Sequence, residues 1–204
     1  MQIDAHENSL TTSSPEATRI FDTYVEQHLG YGPTPGILFT ALNHDAGDPY
    51  LNAQCAAVHM SLEAAEGFRA ARPFLAQAEQ GLGQTDISDR ERRFIEATLA
   101  FSRRDAHGAA DILTGVVRDY PTDISAAKWA QYYHFNLGQA RGMLEVAQAI
   151  LPALDGRPFA HGMQAFALEQ TGAFEAAEAA GRRAIDIRRA DPWAHHAVAH
   201  VLEM

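Results

Sequence analysis

The chain of 204 residues has one cysteine, one lysine and no long apolar run. Cys55 alone can form neither an intramolecular disulfide nor a multi-cysteine zinc site, and its simplest role is that of a small buried hydrophobe. Lys128 is the only lysine, and the arginines are scattered in ones and twos, as in Arg103-Arg104, Arg182-Arg183 and Arg188-Arg189. With 26 acidic against 16 basic residues and a net charge of -10, the chain offers no basic patch, so neither nucleic acid nor an anionic membrane is expected as a partner. Met1 to Ser14 is polar, and no run of about 18 apolar residues occurs, so a cytoplasmic protein is expected. Phosphate loops of the G-x-x-x-x-G-K type and G-x-S-x-G elbows are missing as well, and Gly81-Leu82-Gly83-Gln84 has neither the preceding strand nor the following pattern that such a loop requires.

What is present is helical. Composition is 47% hydrophobic and 21% charged, and no segment alternates with period 2 between hairpin turns. Ser14 caps and Pro15 opens a first helix, whose stripe is Ile20, Phe21, Tyr24, Val25 and His28. Gly30 to Gly36 reads as a connection, followed by a short helix at about 37–43. Asp48 caps and Pro49 opens the next helix, through Cys55 and Met60. Pro73 predicts a fresh helix starting near it and ending around Gly81-Leu82-Gly83, and Ser88 with Glu91 forms a capping box for the one after.

A step of 34 residues then recurs. Gly138 and Gly172 lie 34 apart at helix ends, and Pro158 and Pro192 lie 34 apart at helix starts. Units 90–123, 124–157, 158–191 and an incomplete 192–204 put Ala97, Gln131, Ala165 and Ala199 at position 8, and Ala109, Met143 and Ala177 at position 20. Small residues there let paired helices cross closely. The expectation is an all-α tetratricopeptide-repeat solenoid of antiparallel helix pairs in a right-handed superhelix, with a flexible stretch 1–13 and degenerate repeats over 14–89. Helix turns are expected near Arg104, Gly138 and Gly172.

Several stretches also resemble the family of tetratricopeptide repeat protein 38. They are Thr11-Thr12-Ser13 with Ala17 to Asp22, Arg90-Glu91-Arg92, Asp119 to Asp123, then Tyr132, Phe135, Leu137 and Gly138, and above all Asp191-Pro192-Trp193-Ala194-His195-His196-Ala197-Val198-Ala199-His200-Val201-Leu202-Glu203-Met204. The resemblance implies fold rather than activity. Family members are longer, so this chain resembles their N-terminal half.

In such repeats the first helix of each pair lines a concave face with positions 2, 5, 9 and 12. These positions hold Ser125, Lys128, Tyr132 and Phe135; Phe159, Gly162, Phe166 and Glu169; and Trp193, His196, His200 and Glu203. Trp193, His196, His200, Glu203, Tyr132, Phe135, Phe166 and Lys128 are the candidate ligand-binding set, with Trp193 as floor and the three other aromatics as wall. His196, His200 and Glu203 stand at i, i+4 and i+7 and share one helix face. Zinc-protease helices place Glu directly after the first His, where this chain has Ala197, so no metal is assigned. The same residues can equally be interhelix packing. His161, His195 and His134 are expected to be packing residues, and His6, His44 and His107 surface.

Two functions compete on this reading. One is a scaffold whose groove takes a peptide or protein segment, basic or apolar, with Lys128 able to hold one carboxylate. The other is an enzyme or small-molecule or metal-binding protein with a His/Glu pocket. No particular cofactor follows from the residues. The chain stops at position 13 of a fourth repeat, with Val198, Val201 and Leu202 on the last helix. A truncated chain, or a homodimer covering that helix, is therefore expected.

Overall fold

The computed structural model describes residues 1–83 and 86–203, so Gln84 of the Gly81-Leu82-Gly83-Gln84 stretch and Met204, the last residue of the expected fourth repeat, lie outside the described residues. Among the described residues the chain is all-α, with eleven helices as sequential antiparallel pairs and one short hairpin. The helices are α1 (Pro15–Leu29), a 3-10 helix (Pro35–Asn43), α2 (Pro49–Met60), α3 (Ala65–Gly81), α4 (Asp89–Ser102), α5 (Ala106–Asp119), α6 (Ile124–Asn136), α7 (Ala140–Leu154), α8 (Ala160–Gln170), α9 (Phe174–Ile187) and α10 (Pro192–Glu203). No described helix is long and apolar enough to cross a membrane.

Two compact units emerge. The first comprises Met1–His28 and Gly32–Leu113, and the second comprises Leu29–Tyr31 and Thr114–Met204. The boundary between the units lies within α5.

In the first unit, residues 1–13 are not a loose tail. Strands β1 (Gln2–Ile3) and β2 (Ser9–Leu10) pair antiparallel, and the Asp4 carboxylate accepts from the backbone N–H of His6 and Asn8 at 2.9 and 2.8 Å to close the turn. Leu10 is buried, and Thr11 donates its N–H and hydroxyl to Glu91 at 2.8 and 2.5 Å. The sequence reading missed this because a hairpin this short has no period to detect.

Local capping signals are realised as written. Ser14 Oγ accepts from Ala17 N, Asp48 Oδ1 from Leu51 N at 2.7 Å, and Ser88 and Glu91 form the reciprocal box. Pro73 departs from expectation: it sits inside α3. Its exposed position leaves the carbonyl one turn earlier open to water, while Ala71 docks against Ala56 and Met60 and holds the helix together. Pro152, exposed inside α7, repeats the arrangement.

The turns fall where the 34-residue step puts them. Arg104, Gly138 and Gly172 all have left-handed backbone, with φ of 69°, 68° and 78°. Position 20 is buried in all three cases, and so are Ala97, Gln131 and Ala165 at position 8, whereas Ala199 is exposed. In the second unit α6 packs on α7, α7 on α8, and α10 on both α8 and α9. Gly181 lets the last contact close, since a side chain there would overlap Val198. Ala165, Ala180 and Ala197 form the tight crossing, and Leu202 at the far end of α10 is 68% exposed.

Candidate functional site

The candidate residues of the second unit sit at the same face of α6, α8 and α10, the first helices of successive pairs. Asp191 builds the entry to α10: it accepts from the N–H groups of Trp193 and Ala194 at 3.0 and 3.1 Å, as Asp48 does at α2 and Asp123 at α6. Gly162 on α8 makes room for it, because a side chain there would meet the Asp191 carboxylate. The cap orients Trp193 across the face.

Rings then form a continuous chain. Phe135 meets Phe166 with centroids 5.4 Å apart, Phe166 meets Trp193 at 4.5 Å and His196 at 5.5 Å, and His196 meets His200 at 4.2 Å. Met143, Ala147 and Leu144 back Phe166 and Trp193. Lys128 lies beneath, with Nζ 3.7 Å from the Trp193 ring centroid and 5.3 Å from that of Tyr31. Tyr31 itself leans on Trp193 at 5.2 Å. Thus Lys128, Phe135, Phe166, Trp193, His196 and His200 are brought together.

Two candidates sit differently. Tyr132 packs with Trp129 and Tyr133 on its own helix, with centroids 5.6 and 5.5 Å away. Glu203 is exposed on the last turn of α10, and the carboxylate beside His200 is instead that of Glu169, whose Oε1 is 3.3 Å from Nδ1. The ring of His200 turns toward α8, where Glu169 is largely sheltered, and away from the end of its own helix.

The electrostatics follow from burial. Lys128 is 8% exposed, and loss of water lowers its ammonium pKa to about 7, although the Asp191 charge pulls the other way. Burial also raises the Asp191 carboxyl and the Tyr31 hydroxyl above their ordinary values. His196 is lowered, first by desolvation and then by the neighbouring His200. Among the described residues the Lys128 side chain makes no hydrogen bond, and the buried Trp193 Nε1 and Asp191 Oδ2 have no partner.

Other histidines are structural. Nε2 and Nδ1 of His134 lie 2.9 Å from Thr114 Oγ1 and 2.7 Å from Gln139 Oε1, and His161 Nε2 is 2.8 Å from Asp155. His195, expected against a partner helix, is exposed, and its Nε2 reaches back to the Arg189 carbonyl at 2.7 Å. Among the described residues no three His, Cys, Asp or Glu side chains gather as a metal-binding set.

Sequence reasoning missed Tyr31 and Asp191. Tyr31 was absorbed into a Gly- and Pro-rich connection. Asp191 was legible only as a cap, through the parallel of Asp191-Pro192-Trp193 with Asp48-Pro49-Tyr50. No protein-family model matches the chain, and no solved structure matches it.

Proposed function

We propose that the chain is a tetratricopeptide-type repeat protein, akin to the family of tetratricopeptide repeat protein 38, and that the face made by α6, α8 and α10 is a binding groove for an apolar peptide segment carrying a free carboxylate. The left-handed turns at Arg104, Gly138 and Gly172 and the burial of Ala97, Gln131 and Ala165 at position 8 and of Ala109, Met143 and Ala177 at position 20 support the repeat reading. One observation carries the binding reading: the buried Trp193 Nε1 is a donor without an acceptor, and the side chain of the largely buried Lys128 has no hydrogen-bond partner among the described residues, beside the aromatic row of Phe135, Phe166 and Trp193. Buried donors are ordinarily satisfied, and a ligand oxygen would satisfy these.

The test is an array of short synthetic peptides with free C-terminal carboxylates, probed with the full chain. Apolar sequences should be retained, and Trp193→Ala, with helicity unchanged by circular dichroism, should lose them. A blank array, or equal retention by Trp193→Ala, overturns the reading. A second reading, a small-molecule or catalytic pocket, is favoured by the 3.3 Å approach of His200 to Glu169, since a carboxylate orients an imidazole for proton transfer. Pairing of two copies through α10 would cover exposed Leu202. Sedimentation should then show a dimer that Leu202→Glu dissociates, and a wild-type monomer would exclude it.

A further inference from the structure

The only lysine of the chain is held in a way that packing does not require. Lys128 lies mid-helix in α6, more than nine-tenths buried, with its Nζ against the faces of Trp193 and Tyr31 and with no hydrogen-bond acceptor among the described residues. A structural cation buried this deeply normally has a carboxylate or carbonyl to hold it. Aromatic faces can bind the ammonium form, but they also leave the nitrogen lone pair of the neutral form uncommitted.

We propose that Lys128 is a carbonyl-capturing amine, which forms an imine with an aldehyde bearing a flat apolar body. The inference rests on this face being open to a ligand, but not on a peptide being its occupant. In the reaction the Nζ lone pair attacks the carbonyl carbon, forming the C–N bond while the C=O π pair moves to oxygen. A proton passes from nitrogen to that oxygen. The carbinolamine then loses its hydroxyl as water, taking the second nitrogen proton, and the C=N bond forms. One aldehyde and one amine give one imine and one water, so no oxidant, reductant or cofactor enters.

The surroundings suit each part. Burial already lowers the amine to about 7, so an appreciable fraction is neutral near neutral pH. The groups facing it are Tyr31, whose hydroxyl is raised and stays neutral, and Asp191, whose charge favours the ammonium; His196 lies beyond Trp193 with ring centroids 6.0 Å apart. The unpartnered Nε1–H of Trp193 is a donor for the aldehyde oxygen, and the rings of Trp193 and Phe166 give a flat ligand a surface to lie on.

The experiment uses the full chain with benzaldehyde and cyanoborohydride, read by intact mass and peptide mapping over a pH series. Lys128 is the only lysine of the chain, so peptide mapping separates its label from that of the α-amino group. Capture at Lys128 should run at least about tenfold faster at neutral pH than on Nα-acetyl-lysine, as expected of a desolvated amine. The rate should rise with a midpoint near 7, Trp193→Phe should slow it severalfold, and Lys128→Arg should abolish it. Label confined to the α-amino group, label at Lys128 only in denatured protein, or a rate equal to that of the free amino acid overturns the proposal. A blank peptide array with labelled Lys128 removes the peptide reading alone; retained peptides with unlabelled Lys128 remove this one alone.

Discussion

Each unit buries one cation, and the two are handled in opposite ways. In the first unit Arg90 is 3% exposed, donates to the Ser9 carbonyl at 2.7 Å and the Tyr50 hydroxyl at 3.3 Å, and stands beside Glu91, which binds Thr11 and Ser88. In the second, Lys128 at 8% exposure has two aromatic faces and no acceptor. The forked guanidinium is spent on tying β2 to the helices, whereas the amine is left with its bonding capacity unused. Similar burial therefore marks a structural tie in one unit and a candidate site in the other.

The sharpest way to break the comparison is to remove both cations. Arg90→Met strips the Ser9 carbonyl of its donor, leaves the Tyr50 hydroxyl with the Gln54 amide, and removes the guanidinium 4.0 Å from the buried Glu91 carboxylate. A loss of about 3–5 kcal/mol is expected in urea denaturation. Lys128→Met removes no side-chain hydrogen bond and replaces a desolvated amine, offset only by the Asp191 charge and two aromatic faces, with an apolar chain of similar reach, so stability should change by less than about 1 kcal/mol or improve. Equal losses for the two variants would mean that Lys128 is as structural as Arg90.

Proton linkage gives the next largest effect. Burial raises the Asp48 carboxyl in the first unit from 3.8 to about 7, so between those values the folded chain holds a proton that the unfolded chain has released, and stability falls as pH rises. Burial lowers Lys128 in the second unit from 10.5 to about 7, so between those values the unfolded chain holds the extra proton and stability rises with pH. Each slope is at most about 1.4 kcal/mol per pH unit. Asp48→Asn should flatten the fall between about pH 4 and 7 and Lys128→Met the rise between about pH 7 and 10, judged as differences from wild type across the pH series. A Lys128→Met difference independent of pH would show that the amine keeps its ordinary affinity for protons.

How much of this was legible depended on the range of the signal. Caps, turns and the 34-residue step are local, so Asp48, the Ser88–Glu91 box and the helix-ending turns at Gly138 and Gly172 could be read from spacing alone. The face holding Lys128, Phe166, Trp193 and His196 was legible because helical periodicity sets which positions align. What failed was long-range or cooperative. Pro73 stays inside α3 because tertiary contacts outweigh a lost hydrogen bond, β2 and the adjoining Thr11 are held by Arg90 and Glu91 some 80 residues away, and Tyr31 reaches Trp193 from a connection with no period. Glu203 was chosen for its spacing from His200, but the ring chose Glu169 on the neighbouring helix.

Turns offer a second, smaller contrast between the units. Gly138 and Gly172 hold their positive φ freely, with open space where a side chain would sit, so the only cost of Gly→Ala is conformational. Each substitution should destabilise by about 1–2 kcal/mol in denaturant titration. Values near zero would mean that the turns relax to other backbone angles, and the case for a shared turn geometry would weaken.

Arg104 occupies the equivalent position in the first unit with a φ of 69° and without glycine's freedom. Left-handed backbone costs an ordinary residue about 1–2 kcal/mol, yet the side chain recovers part of it by laying Cζ 3.9 Å from the Phe68 ring centroid. An exposed stacking contact of this kind contributes about 0.5–1 kcal/mol, so Arg104→Gly should shift stability by no more than about 1 kcal/mol. The informative measurement is the double-mutant cycle with Phe68→Leu. Once the ring is gone, the arginine keeps its strain and loses its compensation, so glycine should stabilise by about 0.5–1 kcal/mol more than it does in the wild-type background. A coupling of zero would show that the Arg104–Phe68 stack contributes nothing, and that the first unit carries its strained turn for no local return.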